Sequence, residues 1–248
     1  MQAARAVRAA SVIAAQPYAV PPGRPASIEF DNTTGQRVKL ANSLYDLAAE
    51  LGTCDFTIAL SVKPADTNDV CQLFSSQWNG NGWLGFYQLQ NDLNVAIIDT
   101  AGNLATAVGV NDLQGYQGSW IRVVARIWRS KTPTPWLDAF INGVVSGAGA
   151  DCSAVTDTLD ASKDFHIGSY PKSQLAPYNG EIADVCLWRR ALTAAEIWAD
   201  FAHARVAADL YCRWYAAAGD VYYELIRGYH GDFNLTSISS AGFPGFEG

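Results

Sequence analysis

Residues 178–197, YNGEIADVCLWRRALTAAEI, contain the boundary between a strand-rich region and a helix. Thr193 is suited to cap the helix because its hydroxyl can accept a backbone N–H three residues later, and Glu196 completes a capping box. Leu192, just before the cap, can pack against Ile197 as a hydrophobic staple. The stretch therefore predicts that the strands end before Thr193 and that a helix begins directly after it.

The predicted helix continues through apolar residues spaced three and four positions apart, and Gly219 follows as a stop signal. The members of this pattern are Ile197, Phe201, Ala204, Ala208, Tyr211 and Tyr215. We therefore expect a C-terminal helix that docks along the domain.

Upstream of the helix, residues 27–187 consist of short strand-like segments separated by turn signals, a pattern typical of a sandwich or barrel. Asn and Gly tolerate the positive φ that tight hairpin turns require. On this basis we predict hairpins with turns at residues 79–82, 100–103 and 142–143.

Residues 120–128 alternate between two faces of a predicted strand. Ile121, Val123, Ala125 and Ile127 form an apolar set that belongs in the core. The other set places two arginines beside two tryptophans, which indicates either a stacked cation–π ladder on a solvated face or a binding surface.

The composition is that of a globular chain with a sizeable core. Its 248 residues are 49% hydrophobic and 17% charged, and one large all-β domain can have this length. The formal net charge of -7 argues against a nucleic-acid binder, which needs a clustered excess of Lys and Arg. No apolar run reaches the length of a membrane span, and residues 9–15 are too weakly hydrophobic to predict a cleaved signal peptide.

Taken in order, these segments resemble the laminin-G-like (concanavalin-A-like) jelly-roll family over residues 27–200. The matching motifs are SIEFDNTTGQRVKL (27–40), FTIALSVKP (56–64), GSWIRVVA (118–125), AFINGV (139–144), FHIG (165–168) and residues 178–197. The family's acidic "IDE" is Ile182-Ala183-Asp184 in this chain, so one acid is shifted or lost. The resemblance implies an all-β, two-sheet antiparallel sandwich with ligand sites in its rim loops, for glycans or protein partners and sometimes with calcium.

The expected organisation has three parts. Residues 1–26 form an N-terminal arm and a Pro-rich linker, because residues 17–25 hold four prolines. Residues 27–200 form the sandwich. Residues 201–248 continue the helix and end in an aromatic C-terminal arm, so that the fold is a jelly-roll sandwich with a C-terminal helix and extended terminal arms.

We expect no catalytic activity. Some sandwich-fold glycosidases place two carboxylates on one strand face, whereas Glu181 and Asp184 are three residues apart and would share a face only through a bulge. The three histidines are too scattered for a metal motif, so no cofactor is predicted. Calcium is the alternative that the resemblance leaves open, and its candidate oxygen ligands are Asp99, Asn103, Asp151 and Asp157.

The predicted hairpin tip at residues 78–83 is the candidate small-ligand site. Trp78 and Trp83 flank Asn79 and Asn81, and indoles beside amides suit stacking on a sugar and hydrogen bonding to its hydroxyls. The alternative is that the two tryptophans pack across the strands that flank the turn.

The main functional hypothesis is a virion component, a capsid decoration or fibre protein that displays the sandwich for adhesion and docks its arms on neighbouring subunits. The partners would be further copies of the chain or capsid and tail proteins. Candidate docking residues are Arg5, Arg8, Tyr18, Tyr222, Tyr223, Phe233, Phe243 and Phe246. The alternative is a free carbohydrate-binding, lectin-like module, secreted or at a cell surface and calcium-dependent if the family's metal is present.

Overall fold

The structure of the chain is a computed structural model. It describes residues 27–30, 37–40, 47–67, 70–76, 80–110, 112–168, 178–202, 210–217, 220–225 and 246–247. Among the helices described, none is long and apolar enough to cross a membrane.

The described strands form antiparallel ladders throughout. In chain order they are β1 (Ile28–Phe30), β2 (Arg37–Leu40), β3 (Phe56–Pro64), β4 (Val70–Ser76), β5 (Trp83–Leu89), β6 (Asp92–Ile98), β7 (Leu104–Val108), β8 (Ile121–Trp128), β9 (Trp136–Ile141), β10 (Val144–Asp151), β11 (Phe165–Ile167), β12 (Gly180–Trp188), β13 (Leu210–Ala217), β14 (Asp220–Leu225) and β15 (Phe246–Glu247). Two helices are described, α1 (Leu47–Gly52) and α2 (Ala194–Phe201).

These strands make two sheets. The first sheet has the order β14-β13-β12-β3-β8-β9-β10, and β1 pairs with the N-terminal half of β12. The second sheet has the order β7-β6-β5-β4-β11-β2-β15. The sheets are joined at one point, where Ala148 of β10 pairs with Val108 of β7.

A continuous apolar core lies between the sheets. Ile58 and Val123 enter it from the first sheet, Phe74 and Phe86 from the second, and Leu51 of α1 packs beside them. Burial of one face from each sheet is the arrangement that stabilises a sandwich. The all-β, two-sheet jelly-roll prediction is therefore confirmed.

Local predictions hold where they depend on near neighbours. The three predicted hairpins are present as β4–β5, β6–β7 and β9–β10, and Asn142 and Gly143 both have the positive φ of a type I′ turn. Thr193 caps α2, and the capping box with Glu196 is complete.

The predicted continuation of the C-terminal helix is wrong. Helix α2 ends at Phe201, and Leu210–Ala217 forms β13, which pairs with β12 and with β14. The physical reason is that the edge of β12 opposite β3 offers backbone donors and acceptors. Hydrogen bonds to this edge outweigh the weak helical spacing of apolar side chains in residues 210–217. The sheets thus include described residues beyond position 200, where the sandwich was expected to end.

Strand β8 differs from expectation on one face. Ile121, Val123, Ala125 and Ile127 lie in the core as predicted. The opposite face is buried rather than solvated, because α2 and the segment before it cover it. A second apolar cluster on that face consists of Ala59, Val124, Phe140, Cys186, Trp188, Leu192, Ile197 and Leu210.

The arginines of that face are correspondingly enclosed. Arg126 lies 5.2 Å from the ring centre of Trp128 and 4.9 Å from that of Phe140, and it donates to Asp138 at 2.6 and 2.9 Å. Its exposed fraction is 8%. A cation–π contact of Arg126 with Trp128 is therefore present, but it lies beneath the surface and is not the predicted ladder of two arginines and two tryptophans on a solvated face.

Candidate functional site

Three loops meet at one end of the sandwich and form what we call the three-loop rim, residues 80–82, 99–103 and 155–163. The first is the β4–β5 tip, the second is the β6–β7 turn, and the third belongs to the connection from β10 to β11. They lie together because β4, β6 and β10 all end at this side of the molecule, while β5, β7 and β11 begin there.

Backbone hydrogen bonds fix these loops to one another. Gly82 N–H donates to the Asp99 carbonyl at 2.9 Å, Asp160 N–H to the Gly82 carbonyl at 3.1 Å, and Thr100 N–H to the Thr158 carbonyl at 2.9 Å. Gly82 has a φ of +75°, and a Cβ there would lie 2.6 Å from the Asp160 nitrogen. Only glycine allows this close approach, so the rim is held in one arrangement.

The buried Asp99 carboxylate connects the second and third loops of the rim by hydrogen bonds. It is buried and accepts four hydrogen bonds, from the backbone and side-chain nitrogens of Asn103 and from the backbone nitrogens of Thr156 and Asp157, at 2.8–3.1 Å. Burial alone would raise the pKa of Asp99, but these hydrogen bonds outweigh it and lower the pKa. Asp99 therefore remains ionised and joins two of the loops.

Two cations lie under the loops. Lys163 is 1% exposed, donates to the Asn81 carbonyl, and its Nζ lies 3.6 Å from Asp160 Oδ2. Arg129 is partly buried and donates to the carbonyls of Val155 and Gly52. Both cationic groups thus donate hydrogen bonds to backbone carbonyls, so their hydrogen-bonding capacity is used largely within the protein.

The outward side of the rim is polar. It consists of one amide, four hydroxyls and one carboxylate on a backbone that is already ordered, an arrangement that can bind polar ligands without a large entropic cost. The exposed polar side chains are Asn81, Thr100, Thr156, Asp157, Thr158 and Ser162.

The predicted sugar-binding tip falls partly within this rim. Asn81 is exposed there, and its Nδ2 lies 3.4 Å from the Thr100 carbonyl. Trp83 is only 3% exposed, and its indole packs on Gly85 with its ring centre 6.1 Å from that of Tyr87. For Trp83 this favours the packing alternative over stacking on a sugar. Trp78 and Asn79 lie outside the described residues.

The predicted docking residues are distributed differently. Tyr222 and Tyr223 belong to β14, which pairs with β13 of the same chain, and Phe246 belongs to β15, which pairs with β2. These segments are strands of the sandwich and not an unstructured arm. The remaining candidates, Arg5, Arg8, Tyr18, Phe233 and Phe243, lie outside the described residues, so docking stays a prediction.

The carboxylates of β12 are each engaged by a cation. Asp184 has a φ of 51° and lies in a bulge that shifts the register of this strand. Such a bulge is what Glu181 and Asp184 would need to lie on one face of the strand. Glu181 accepts from Lys63 Nζ at 2.7 Å, and this hydrogen bond lowers the pKa of Glu181. Asp184 Oδ2 lies 3.5 Å from Arg122 Nη1. The structure therefore gives each acid a structural role in an ion pair.

Metal binding finds no support in the described part of the chain, where no group of three or more His, Cys, Asp or Glu is arranged to hold an ion. The oxygens of Asp99 already face four N–H donors, which oppose a cation. Asp151 and Asp157 are exposed and accept hydrogen bonds from Ser153 and Thr158. Calcium binding stays a prediction.

Apart from Asp157, which was a candidate calcium ligand, the third loop of the rim was missed by sequence reasoning. Its Thr, Asp and Ser content marks a turn-rich segment, but Asn81 and Lys163 are 82 residues apart, and their contact depends on strand order. A polar loop of this composition is the signal that could have drawn attention to it.

Two packed antiparallel sheets with ordered polar loops at one rim define the class of lectin-like jelly-roll folds. Residues 32–198 match the laminin G family described as the concanavalin A-like lectin/glucanases superfamily, and the chain belongs to this family. No curated protein matches the chain.

Solved structures share the fold at low sequence identity. The CBM40 domain of the Ruminococcus gnavus IT-sialidase, bound to α2,3-sialyllactose, has a TM-score of 0.52 and 19% identity, covering 71% of this chain and 96% of that one. A heptameric SAP-like pentraxin from Limulus polyphemus has a TM-score of 0.50 and 15% identity, covering 81% and 94%. The leech intramolecular trans-sialidase has a TM-score of 0.54 and 18% identity, covering 69% of this chain and 26% of that one.

Proposed function

We propose that the chain is a non-catalytic carbohydrate-binding module that holds a glycan at the three-loop rim. The observation that carries the proposal is the ordered set of exposed amide, hydroxyl and carboxylate groups around Asn81 and Asp157. Sugar hydroxyls both donate and accept hydrogen bonds, so they match such a mixed set. The family and the sialyllactose-bound structural relative support the same class of ligand.

A printed glycan array identifies the ligand, and titration calorimetry then measures its affinity for rim variants. Asn81→Ala and Asp157→Ala each remove a hydrogen-bonding group, and we expect each to weaken binding about fivefold or more. Gln114→Ala is the matched control, since Gln114 is also exposed but lies in the β7–β8 loop at the opposite rim.

Equal affinities for the rim variants and Gln114→Ala would show that the glycan binds elsewhere. Absence of binding to every arrayed glycan, with the chain shown to be folded by circular dichroism, would reject the carbohydrate-binding proposal.

The virion hypothesis receives no specific support from the described residues. Its docking arms are either strands of the sandwich or lie outside the described ranges. It stays a prediction, and it does not conflict with glycan binding because a displayed domain could carry the same rim.

A further inference from the structure

The ionic character of the three-loop rim bears on which glycans it can accept. Within its three segments the acidic residues are Asp99, Asp157 and Asp160, and the only basic residue is Lys163. Asp157 is exposed and Asp160 is partly exposed, whereas Lys163 is 1% exposed. The charge that a ligand meets at this surface is therefore negative.

The two cations described near the rim, Lys163 and Arg129, are engaged by groups of the protein itself. The Nζ of Lys163 is directed to the Asn81 carbonyl and the Asp160 carboxylate, and the guanidinium of Arg129 is directed to two backbone carbonyls. Redirecting either group outward would break the contacts that hold the loops together. Among the described residues of the rim, a ligand carboxylate would then find neither a bidentate guanidinium nor an exposed ammonium group.

The negative charge also persists over a wide range of pH. A side-chain hydrogen bond from Ser162 lowers the pKa of Asp160, and hydrogen bonds from Asn103, Asp157 and Thr156 lower that of Asp99 against the effect of burial. Both acids are therefore ionised at neutral pH, where a sugar carboxylate is ionised as well.

We infer that the three-loop rim selects uncharged glycans and rejects glycans that carry a carboxylate. This inference rests on the proposed function and names the ligand class of the same site. Repulsion between like charges is a standard source of specificity. Two acids within several ångströms of a ligand carboxylate should lower the affinity for that ligand about tenfold at low salt. The chain would thus differ from the Ruminococcus gnavus domain of the same fold, which was solved with sialyllactose.

The test uses the full chain on an array of matched pairs, in which each neutral oligosaccharide is printed beside the same oligosaccharide capped with sialic acid. We expect the neutral member of each bound pair to bind about tenfold better at low salt, with the ratio falling as salt is raised. The variant Asp157→Asn removes one negative charge from the rim, so the ratio of neutral to sialylated binding should fall, whatever the change in the affinity for the neutral glycan. Gln114→Ala should leave the ratio unchanged.

The outcomes separate the two proposals. Equal or stronger binding of the sialylated members, in buffer with EDTA or with added calcium, overturns the selectivity while leaving carbohydrate binding intact. A ratio that is the same for the wild type and Asp157→Asn also overturns it, since the rim charge would then not be its cause. If neither member of any pair binds, the proposed function itself fails.

Discussion

At the scale of single residues, Tyr178 places an unsatisfied polar group in the core. Its ring is 1% exposed and makes an edge-to-face contact with Phe30, with ring centres 6.4 Å apart. Its hydroxyl is buried and has no hydrogen-bond partner among the described residues. Burial raises the pKa of Tyr178 well above its ordinary value, with Cys71 and Glu181 acting in the same direction.

Replacing Tyr178 with Phe should stabilise the protein, because the change keeps the ring and removes a desolvated hydroxyl. We expect a gain of about 1 kcal/mol in the free energy of unfolding, measured by urea denaturation. Tyr116→Phe, in a partly buried ring beside the core, serves as the control and should change stability by less than about 0.5 kcal/mol. A clear loss of stability for Tyr178→Phe would mean that the hydroxyl has a partner in solution.

At the scale of elements, α2 is attached to the first sheet by a buried ion pair as well as by apolar packing. Arg122 of β8 is 1% exposed and donates to Asp200 of α2 at 2.7 and 3.3 Å. It also donates to the carbonyl of Asp184 at 2.6 Å and to Ser61 at 3.1 Å. One guanidinium thus joins the helix, the bulge of β12 and β3.

Removal of Arg122 should therefore weaken the attachment of α2. We expect Arg122→Ala to lower the free energy of unfolding by about 3 kcal/mol or more, since it removes the guanidinium that pairs with Asp200 and that donates to Ser61 and Asp184 in a buried site. The exposed pair Arg190–Glu196 provides the matched control, with side chains 25% and 32% exposed. Arg190→Ala should cost no more than about 1 kcal/mol. Similar losses for both variants would contradict an anchoring role for Arg122.

At the scale of the whole molecule, the two sheets are joined along β7 and β10 by a single strand pair. Asp112 in the β7–β8 loop reinforces this seam, because its carboxylate accepts the Leu93 N–H of β6 at 2.8 Å and the Ser146 hydroxyl of β10. Burial raises the pKa of Asp112 from 3.8 to about 6, although the hydrogen bond from Leu93 acts in the opposite direction, and Asp92 raises it further.

The raised pKa makes the stability of the sandwich depend on pH with a definite sign. The folded state binds the Asp112 proton more tightly than the unfolded state, so the stabilisation is present below the unfolded pKa and is lost as pH rises through about 6. Asn at position 112 can accept the Leu93 N–H through its Oδ1 and donate through its Nδ2 to the Ser146 hydroxyl, without the charge. We expect Asp112→Asn to be more stable than the wild type by about 1 kcal/mol at neutral pH and no more stable near pH 4, as measured by urea midpoints. If the stability difference between Asp112→Asn and the wild type does not change with pH, the raised pKa of Asp112 is not its cause.

Much of the fold follows from interactions between residues close in the chain, which a sequence displays directly. The Asn142-Gly143 turn, the capping box of Thr193 and Glu196, and the alternation along residues 121–127 each depend on a few neighbouring residues, and each is present. The succession of such elements was enough to predict the sandwich and its family. Prediction from neighbouring residues failed for residues 210–217. Their apolar side chains have helical spacing, but the segment forms a strand that pairs with the edge of β12.

The candidate site was decided by tertiary structure. Asn81 could be selected from the hairpin tip, but Asp157 and Lys163 come from a segment more than seventy residues away that only strand order brings to the same rim. Burial also depends on the whole fold. The indole of Trp83 and the ammonium group of Lys163 are buried by packing within the folded chain, which their sequence neighbours do not predict. Local propensity therefore determined the elements of this protein, whereas the layering of its sheets determined which polar groups face a ligand, because burial and long-range hydrogen bonds exist only once the chain is folded.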